Sequence, residues 1–167
     1  MKPEIFHTKM KSFEATLEQL IPPGMYMIVR LQGVGLIFKH DLNDAMIETT
    51  EHLMTCGFNV TYAHTGNDEI SLLFDINENS HRRKVQKFVS IVAAEASAKL
   101  TNVLGKMATF ECRLLTFPNK PLVRDYFRLI STHNKTYSVW SCWKVNDAGS
   151  REIMNVPDKE IVTDILD

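Results

Sequence analysis

The sequence predicts an α+β fold of the ferredoxin-like type, with the element order βαββαβ and flanking helices. Short segments with alternating apolar residues predict four strands, because side chains alternate between the two faces of a sheet. Two longer segments carry apolar residues at helical spacing and lie between the predicted strands. The chain has 167 residues, of which 44% are hydrophobic, so it can bury the core of one domain.

The first predicted elements are a flanking helix and a strand. Apolar residues at helical spacing predict an amphipathic helix over residues 8–20, and the Pro22-Pro23-Gly24 segment ends it. A strand is predicted over residues 25–32. Asn43 is a residue type that caps helices, and it precedes a predicted helix that continues to Cys56.

The second half of the predicted frame begins after Gly57. Strands are predicted over residues 58–65 and 69–75, with a tight turn at Gly66-Asn67 between them. A long helix is predicted over residues 82–104 and a fourth strand over residues 107–117. These elements complete the βαββαβ order, which is that of the split βαβ fold.

The chain continues beyond this core. Pro118 and Pro121 bracket the start of another helix that continues to about residue 131. We therefore predict one domain over residues 1–145 with its core at 25–131, in which residues 132–145 fit no single element. Residues 146–167 are expected to form a short tail, either a loop with a last helix or a partly disordered segment.

Composition excludes several classes of protein. The net charge is −1, so any contact with nucleic acid must come from local basic patches. Three distant cysteines without a C-x-x-C pair argue against a disulfide framework and a thiolate zinc site. The first residues are polar and no apolar run approaches ~20 residues, so we expect a cytoplasmic protein without a membrane segment.

Two adjacent acids, Asp68 and Glu69, mark a candidate site at the turn between the second and third strands. Alternation also directs polar side chains of the first and fourth strands toward one sheet face. That face is predicted to gather the following residues: Arg30, Gln32, Asp68, Glu69, Glu111 and Arg113. On alternation alone, a solvated sheet face is the commoner explanation of such mixed charges.

Six segments in order resemble the tRNA-histidine guanylyltransferase family of reverse-direction (3′-to-5′) polymerases. Residues 9–14 read KMKSFE and resemble the family's basic opening, and residues 27–33 read MIVRLQG, similar to its VRIDG strand. Asn43-Asp44 corresponds to the start of a family helix, and GNDEIS at 66–71 is similar to the family's QSDEIS turn. FECR at 110–113 is similar to the family's FD-x-R motif, and VRDYF at 123–127 is similar to its DYF helix.

The resemblance implies a polymerase palm that transfers nucleotides with two magnesium ions. Carboxylates are needed because the ions must be held and charge-balanced while they clamp the attacking and leaving oxygens. In this sequence it implies Asp68, Gly33 and Gln32 as metal ligands, with Glu69 as a second catalytic acid. It also implies a bound nucleoside triphosphate, GTP or ATP.

The resemblance further assigns polar residues around the predicted site. Glu111 and Arg113 are expected to orient the acids. Nucleotide or phosphate contacts are expected from Arg30, Asp44, Arg82, Arg83 and Lys87. Contacts with tRNA or another RNA are expected from Lys9, Lys11 and Arg124. The family also implies a homo-oligomer, either a dimer or a tetramer.

Departures from the family pattern leave three functions open. The family's first acid is Gln32 here, which removes one negative charge and weakens magnesium binding, and its RQ-x-D segment reads ISTH at residues 130–133. The first hypothesis is a divergent nucleotidyltransferase that extends an RNA 5′ end. The second is a non-catalytic descendant that binds nucleotide, RNA or a protein. The third is a cyclic-nucleotide or oligonucleotide synthase built on the same palm.

Overall fold

A six-stranded antiparallel sheet organises the chain, with the strand order β4-β1-β3-β2-β5-β6. The structure is a computed structural model, and it describes residues 2–36, 40–133, 139–145 and 151–156. The strands are β1 (Tyr26–Val34), β2 (Val60–Thr65), β3 (Glu69–Phe74), β4 (Thr109–Phe117), β5 (Val139–Val145) and β6 (Arg151–Val156). The helices are α1 (Pro3–Glu14), α2 (His40–Thr55), α3 (Val85–Leu104) and α4 (Lys120–His133).

The central elements follow the order β1-α2-β2-β3-α3-β4, so the predicted ferredoxin-like palm is confirmed. Helices α2 and α3 pack on one face of the sheet. The buried face of α3 repeats every four residues, at Phe88, Val92, Ala96 and Leu100. These side chains join the apolar side chains of β1 and β3, such as Val29 and Leu72, in the main core.

Helix α4 covers part of the opposite sheet face, which the sequence predicted to be open. Its side chains Val123, Phe127 and Ile130 are spaced by one helical turn and form a second core with strand residues. Tyr62 of β2 packs edge-on against Phe127, with ring centroids 4.7 Å apart. The face on which the sequence predicts the mixed charges is therefore partly covered, because the amphipathic α4 needs an apolar surface to cover its stripe.

The amino-terminal helix begins earlier than the sequence predicted. Helix α1 starts at Pro3, a residue favoured in the first turn because proline lacks the amide hydrogen that this turn leaves unpaired. Thr8 does not cap the helix, since its hydroxyl donates to the carbonyl of Glu4 at 2.9 Å. A short 3-10 helix over Ala15–Leu17 follows, so the predicted end at residue 20 is also too late.

The sheet continues into the segment predicted to be a tail. Strand β5 pairs with β2, and β6 pairs with β5, for example Ser141 with Asn155. The expectation of a loop or a helix is therefore wrong for residues 151–156. The predicted ends of the other elements are close to the observed ones, and the remainder of the tail, residues 146–150 and 157–167, lies outside the described residues.

The long helix α3 begins later than predicted, at Val85. Before it, residues 81–83 form a turn whose φ angles of 51°, 56° and 57° are left-handed, which is unfavourable for residues other than glycine. Arg82 and Arg83 therefore lie before the helix and not in its first turn. In the part of the chain that the structure describes, we find no helix long and apolar enough to cross a membrane.

Candidate functional site

The acidic turn lies against the end of β1, in the position that strand alternation predicts. Gln32 is the cross-strand neighbour of Glu69, and the Gly33 amide donates to the carbonyl of Asp68 at 2.7 Å. The turn itself is closed by the Gly66 amide, which donates to the carbonyl of Glu69 at 2.7 Å. A Cβ atom at position 33 would lie 2.3 Å from the Leu36 side chain and 3.3 Å from the Asp68 carbonyl oxygen, so glycine lets Leu36 and the acidic turn lie this close to β1.

Each of the two acids has a side-chain partner on β1. Gln32 Nε2 donates to Asp68 Oδ2 at 2.6 Å, and Arg30 Nη2 donates to Glu69 Oε1 at 2.5 Å. The ion pair with Glu69 raises the pKa of Arg30. The residue that holds Glu69 is therefore Arg30, and the expectation that Glu111 and Arg113 orient the acids stays a prediction.

Strand β4 completes the face with Glu111 and Arg113. In the strand register Arg113 lies directly opposite Arg30, and Glu111 lies opposite Gln32. These four side chains line a small cleft of about 100 Å³. Arg113 Nη2 lies 3.6 Å from Glu111 Oε1, and its side chain is 77% exposed. Each of the two arginines has a carboxylate partner, Arg30 in Glu69 and Arg113 in Glu111, so the cleft is lined by charges of both signs.

Tyr126 of α4 borders this face, and the sequence analysis names no role for it beyond its place in the VRDYF segment. Its hydroxyl forms a hydrogen bond with Ser71 Oγ at 2.8 Å, and Ser71 lies opposite Arg30 in the register of β1 and β3. Burial raises the pKa of the Tyr126 hydroxyl. The apolar stripe of α4 was the signal that could have placed this helix on the sheet. Tyr126 thus marks the boundary between the covered and the open half of the face.

The environment of Asp68 disfavours its charged form. Burial and then the neighbouring charge of Glu69 raise the pKa of Asp68, while its hydrogen bond from Gln32 and the charge of Arg30 oppose the rise. Asp68 therefore carries its negative charge at a cost in stability, as residues at functional sites often do.

We expect Asp68→Asn to stabilise the protein slightly near neutral pH. A carboxyl whose pKa is higher folded than unfolded binds protons better in the folded state, so its stabilising contribution is present at low pH and is lost as pH rises through the folded pKa. Thermal unfolding should give the variant a Tm higher by about 1–3 °C at neutral pH, with curves that converge below pH ~4. A difference that instead grows on acidification would contradict this.

Three predicted phosphate contacts, Arg82, Arg83 and Lys87, lie far from Asp68. Arg83 is bonded to the segment before β1, and about 23 Å of extended strand separates Met25 from Gln32. Within one chain, these three residues therefore do not lie near a triphosphate bound at Asp68. For Arg83 the prediction is wrong, because its guanidinium is buried and bonded to the backbone carbonyls of Ile21, Pro22, Met25, Ile76 and Glu78.

The other predicted contacts lie on three different helices. Lys9 and Lys11 are exposed on α1, and Asp44 is exposed near the start of α2. Helix α2 begins at His40, six residues after β1 ends at Val34. Arg124 lies on α4. Their assignments to nucleotide or RNA stay predictions.

The residues of this corner fit one magnesium ion that enters with a nucleotide, and they do not fit a pair of resident ions. Gln32 directs an N–H at Asp68 Oδ2, where a cation would require an oxygen ligand. The amide must turn over to offer Oε1 to a metal. Across the described residues, no three histidine, cysteine, aspartate or glutamate side chains gather as a metal site. Magnesium commonly uses one or two carboxylates together with substrate phosphates.

Restoring an acid at position 32 is expected to create a cation site. Gln32→Asp would place a second carboxylate beside Asp68, and a divalent cation relieves the resulting repulsion. We expect binding of Mn²⁺ or Mg²⁺, without nucleotide, to tighten roughly tenfold or more by isothermal titration calorimetry. Gln32→Asn has the same shape without the charge and is the matched control. Equal affinities for the two variants would contradict the prediction.

Comparison with known proteins gives a consistent result. The family model described as tRNAHis guanylyltransferase matches residues 7–118. A search among curated proteins finds no match.

Three solved structures share the fold. One is a bacterial tRNA(His) guanylyltransferase-like protein in complex with GTP, with a TM-score of 0.82, 20% identity, and coverage of 96% of this chain and 95% of that chain. A bacterial tRNA(His) guanylyltransferase-like protein in complex with ATP has a TM-score of 0.81 and 19% identity, with coverage of 96% of this chain and 98% of that chain. The tRNA(His) guanylyltransferase of Saccharomyces cerevisiae has a TM-score of 0.64 and 16% identity, with coverage of 73% of this chain and 64% of that chain.

Proposed function

Because the chain belongs to the tRNAHis guanylyltransferase family, we propose that it binds a nucleoside triphosphate and transfers the nucleotide to the 5′ end of an RNA. The observation that carries the proposal is the corner at which Asp68 meets Gln32 and Gly33. There the Asp68 carboxylate contacts the Gln32 amide, and the backbones of Asp68 and Gly33 are hydrogen-bonded, beside an open cleft. Similar structures with bound GTP and ATP support a triphosphate as the ligand.

The triphosphate lies in the cleft that Arg30 and Arg113 border. Guanidinium groups bind phosphate oxygens with two parallel hydrogen bonds, and Arg30 and Arg113 lie directly opposite each other in the strand register. Glu69 keeps Arg30 in place before the nucleotide arrives. Arg113 is mostly exposed and is free to turn toward the ligand.

Asp68 is the charged ligand for the magnesium ion of the nucleotide, with the turned-over Gln32 amide and the Gly33 carbonyl as neutral ligands. The ion would supply charge neutralisation on the phosphate oxygens. The side chains then have two tasks: Arg30 and Arg113 orient the triphosphate, and Tyr126 closes the covered side of the cleft. The RNA acceptor must approach from the open half of the face.

A second candidate function is nucleotide or RNA binding without transfer. The hydrogen bond from Gln32 to Asp68 favours it, since this bond satisfies the carboxylate without any cation. The site also carries one acid fewer than paired magnesium ions need.

Labelled nucleotide separates these functions. The purified protein is incubated with α-labelled GTP or ATP and magnesium, with and without a 5′-truncated tRNA, while nucleotide binding is measured in parallel by filter retention. We expect label in the RNA. Binding without labelled product would replace transfer by the second candidate, and product without RNA would indicate a cyclic-nucleotide or oligonucleotide synthase. A folded protein that neither binds nor transfers nucleotide would overturn the proposal.

A further inference from the structure

Two glutamates flank Gln32 on the open part of the sheet face. Glu69 of β3 lies directly opposite Gln32 on one side, and Glu111 of β4 lies directly opposite it on the other. Directly opposed residues of antiparallel strands have their side chains on the same face of the sheet. Gln32, whose amide contacts Asp68, therefore has a carboxylate on each side in the same row of the sheet.

The two glutamates differ in how firmly they are held. Glu69 accepts a hydrogen bond from Arg30 Nη2 at 2.5 Å, and its side chain is only 19% exposed. Arg113 Nη2 lies 3.6 Å from Glu111 Oε1, which is too long for a good hydrogen bond, and the Glu111 side chain is 55% exposed. Exposed pairs of this kind are weak. Glu111 is therefore the acid that can change its partner at little cost.

We propose that Glu111 supplies a second carboxylate for the magnesium ion that enters with the nucleotide. This inference rests on the proposed function, in which Asp68 is the charged ligand and Gln32 a neutral one. The backbones of β1 and β4 are ~4.8 Å apart, and a glutamate side chain is long enough to cross this distance above Gln32.

The positions of the two acids fit the size of the ion. Asp68 directly precedes β3 and Glu111 belongs to β4, so their carboxylates approach Gln32 from the two strands that neighbour β1. Oxygen atoms bound to one magnesium ion lie about 3–4 Å apart. Magnesium commonly uses one or two carboxylates together with phosphate oxygens, so Asp68, Glu111 and the triphosphate form a set of ligands that suits it.

The charge of Glu111 acts in opposite directions with and without the ion. Glu111 lines the same cleft as Arg30 and Arg113, which border the proposed triphosphate position. Without an ion, the carboxylate repels the phosphate oxygens. With an ion between them, carboxylate and phosphate bind the same cation. Arg113 loses its contact with Glu111 when it turns toward the triphosphate, so one movement places a guanidinium on the phosphates and frees a carboxylate for the ion.

Nucleotide affinity with and without metal tests this inference. Binding of an α,β-methylene analogue of GTP or ATP, which cannot transfer its nucleotide, is measured by isothermal titration calorimetry with Mn²⁺ and again with EDTA. We expect Glu111→Gln to weaken binding about tenfold or more with Mn²⁺ and to strengthen it about twofold with EDTA. Electron paramagnetic resonance of Mn²⁺ measures the bound metal directly and should show the same loss.

Two further variants separate a metal ligand from a mere partner of Arg113. Arg113→Gln removes that partner and should weaken binding with Mn²⁺ and with EDTA alike. Glu48 of α2 matches Glu111, since its side chain is 53% exposed and pairs with a cation, Lys99 of α3. It lies away from the cleft, so Glu48→Gln should change neither affinity. Circular dichroism checks that each variant is folded.

An acid restored at position 32 should make Glu111 less important. In the Gln32→Asp background, we expect Glu111→Gln to change the affinity for the Mn²⁺-bound nucleotide by less than about threefold, because the new carboxylate already neutralises the ion. An equally large loss in both backgrounds would mean that Glu111 is not a substitute for an acid at this position, and would overturn the inference.

The outcomes also distinguish this inference from the proposed function. Equal weakening by Glu111→Gln with Mn²⁺ and with EDTA would show that Glu111 acts only through Arg113. Unchanged affinity with Mn²⁺ would exclude Glu111 as a ligand. Either result overturns the inference and leaves the proposed function standing. An original chain that is folded and binds no nucleotide in either condition overturns the proposed function, and this inference with it.

Discussion

Asp68→Ala is expected to lower the rate of nucleotide transfer to RNA by about a thousandfold or more, or by at least ~4 kcal/mol of transition-state stabilisation. In the proposed function Asp68 is the charged ligand of the corner, and its removal would leave the corner with only neutral ligands, the amide of Gln32 and the carbonyl of Gly33. Neither can balance the charge of a cation on the triphosphate. The measurement is the initial rate of label transfer from α-labelled GTP to the 5′-truncated tRNA.

Asp75→Ala is the matched control for this variant. Asp75 follows the far end of the same strand, β3, and its carboxylate accepts a hydrogen bond from the Asn77 amide only two residues away. It should transfer nucleotide at the original rate. Because Asp68 is destabilised by burial, its alanine variant should also keep a Tm equal to or above the original. Equal rates for the two variants would place the transfer site elsewhere.

The frame of the site was predictable because it depends on local patterns. Alternation places Arg30 and Gln32 on one face of β1, and the tight turn places Asp68 and Glu69 at the start of β3. The identities of the contacts were not predictable. Two acids and two polar side chains allow several pairings, and only the coordinates show that the amide meets Asp68 and the guanidinium meets Glu69.

The remaining errors concern interactions between distant parts of the chain. Strands β5 and β6 mix polar and apolar residues without regular alternation, and backbone hydrogen bonds with a neighbouring strand define them. The position of α4 depends on which sheet residues its apolar stripe packs against, and one such contact is that of Phe127 with Tyr62. The role of Arg83 depends on carbonyls from two separate segments, residues 21–25 and 76–78, which no local pattern brings together.

Arg83→Met is expected to destabilise the fold by about 3–5 kcal/mol and to lower its Tm by roughly 10 °C. The guanidinium is buried and directs all of its N–H groups at five backbone carbonyls, so methionine would leave these acceptors without their donor. The left-handed turn at residues 81–83 is unfavourable by itself, and the same contacts hold it in place.

Arg82→Met separates this role from the effect of charge, because Arg82 shares the left-handed backbone but is exposed. It should unfold near the original temperature in the same thermal scan. Hydrogen exchange should rise in Arg83→Met around residues 21–25, where the carbonyls of Ile21, Pro22 and Met25 lose their donor, and stay low near Gln32 at the other end of β1. Equal melting temperatures for the two variants would show that the carbonyls find other partners, and that the base of α1 does not depend on Arg83.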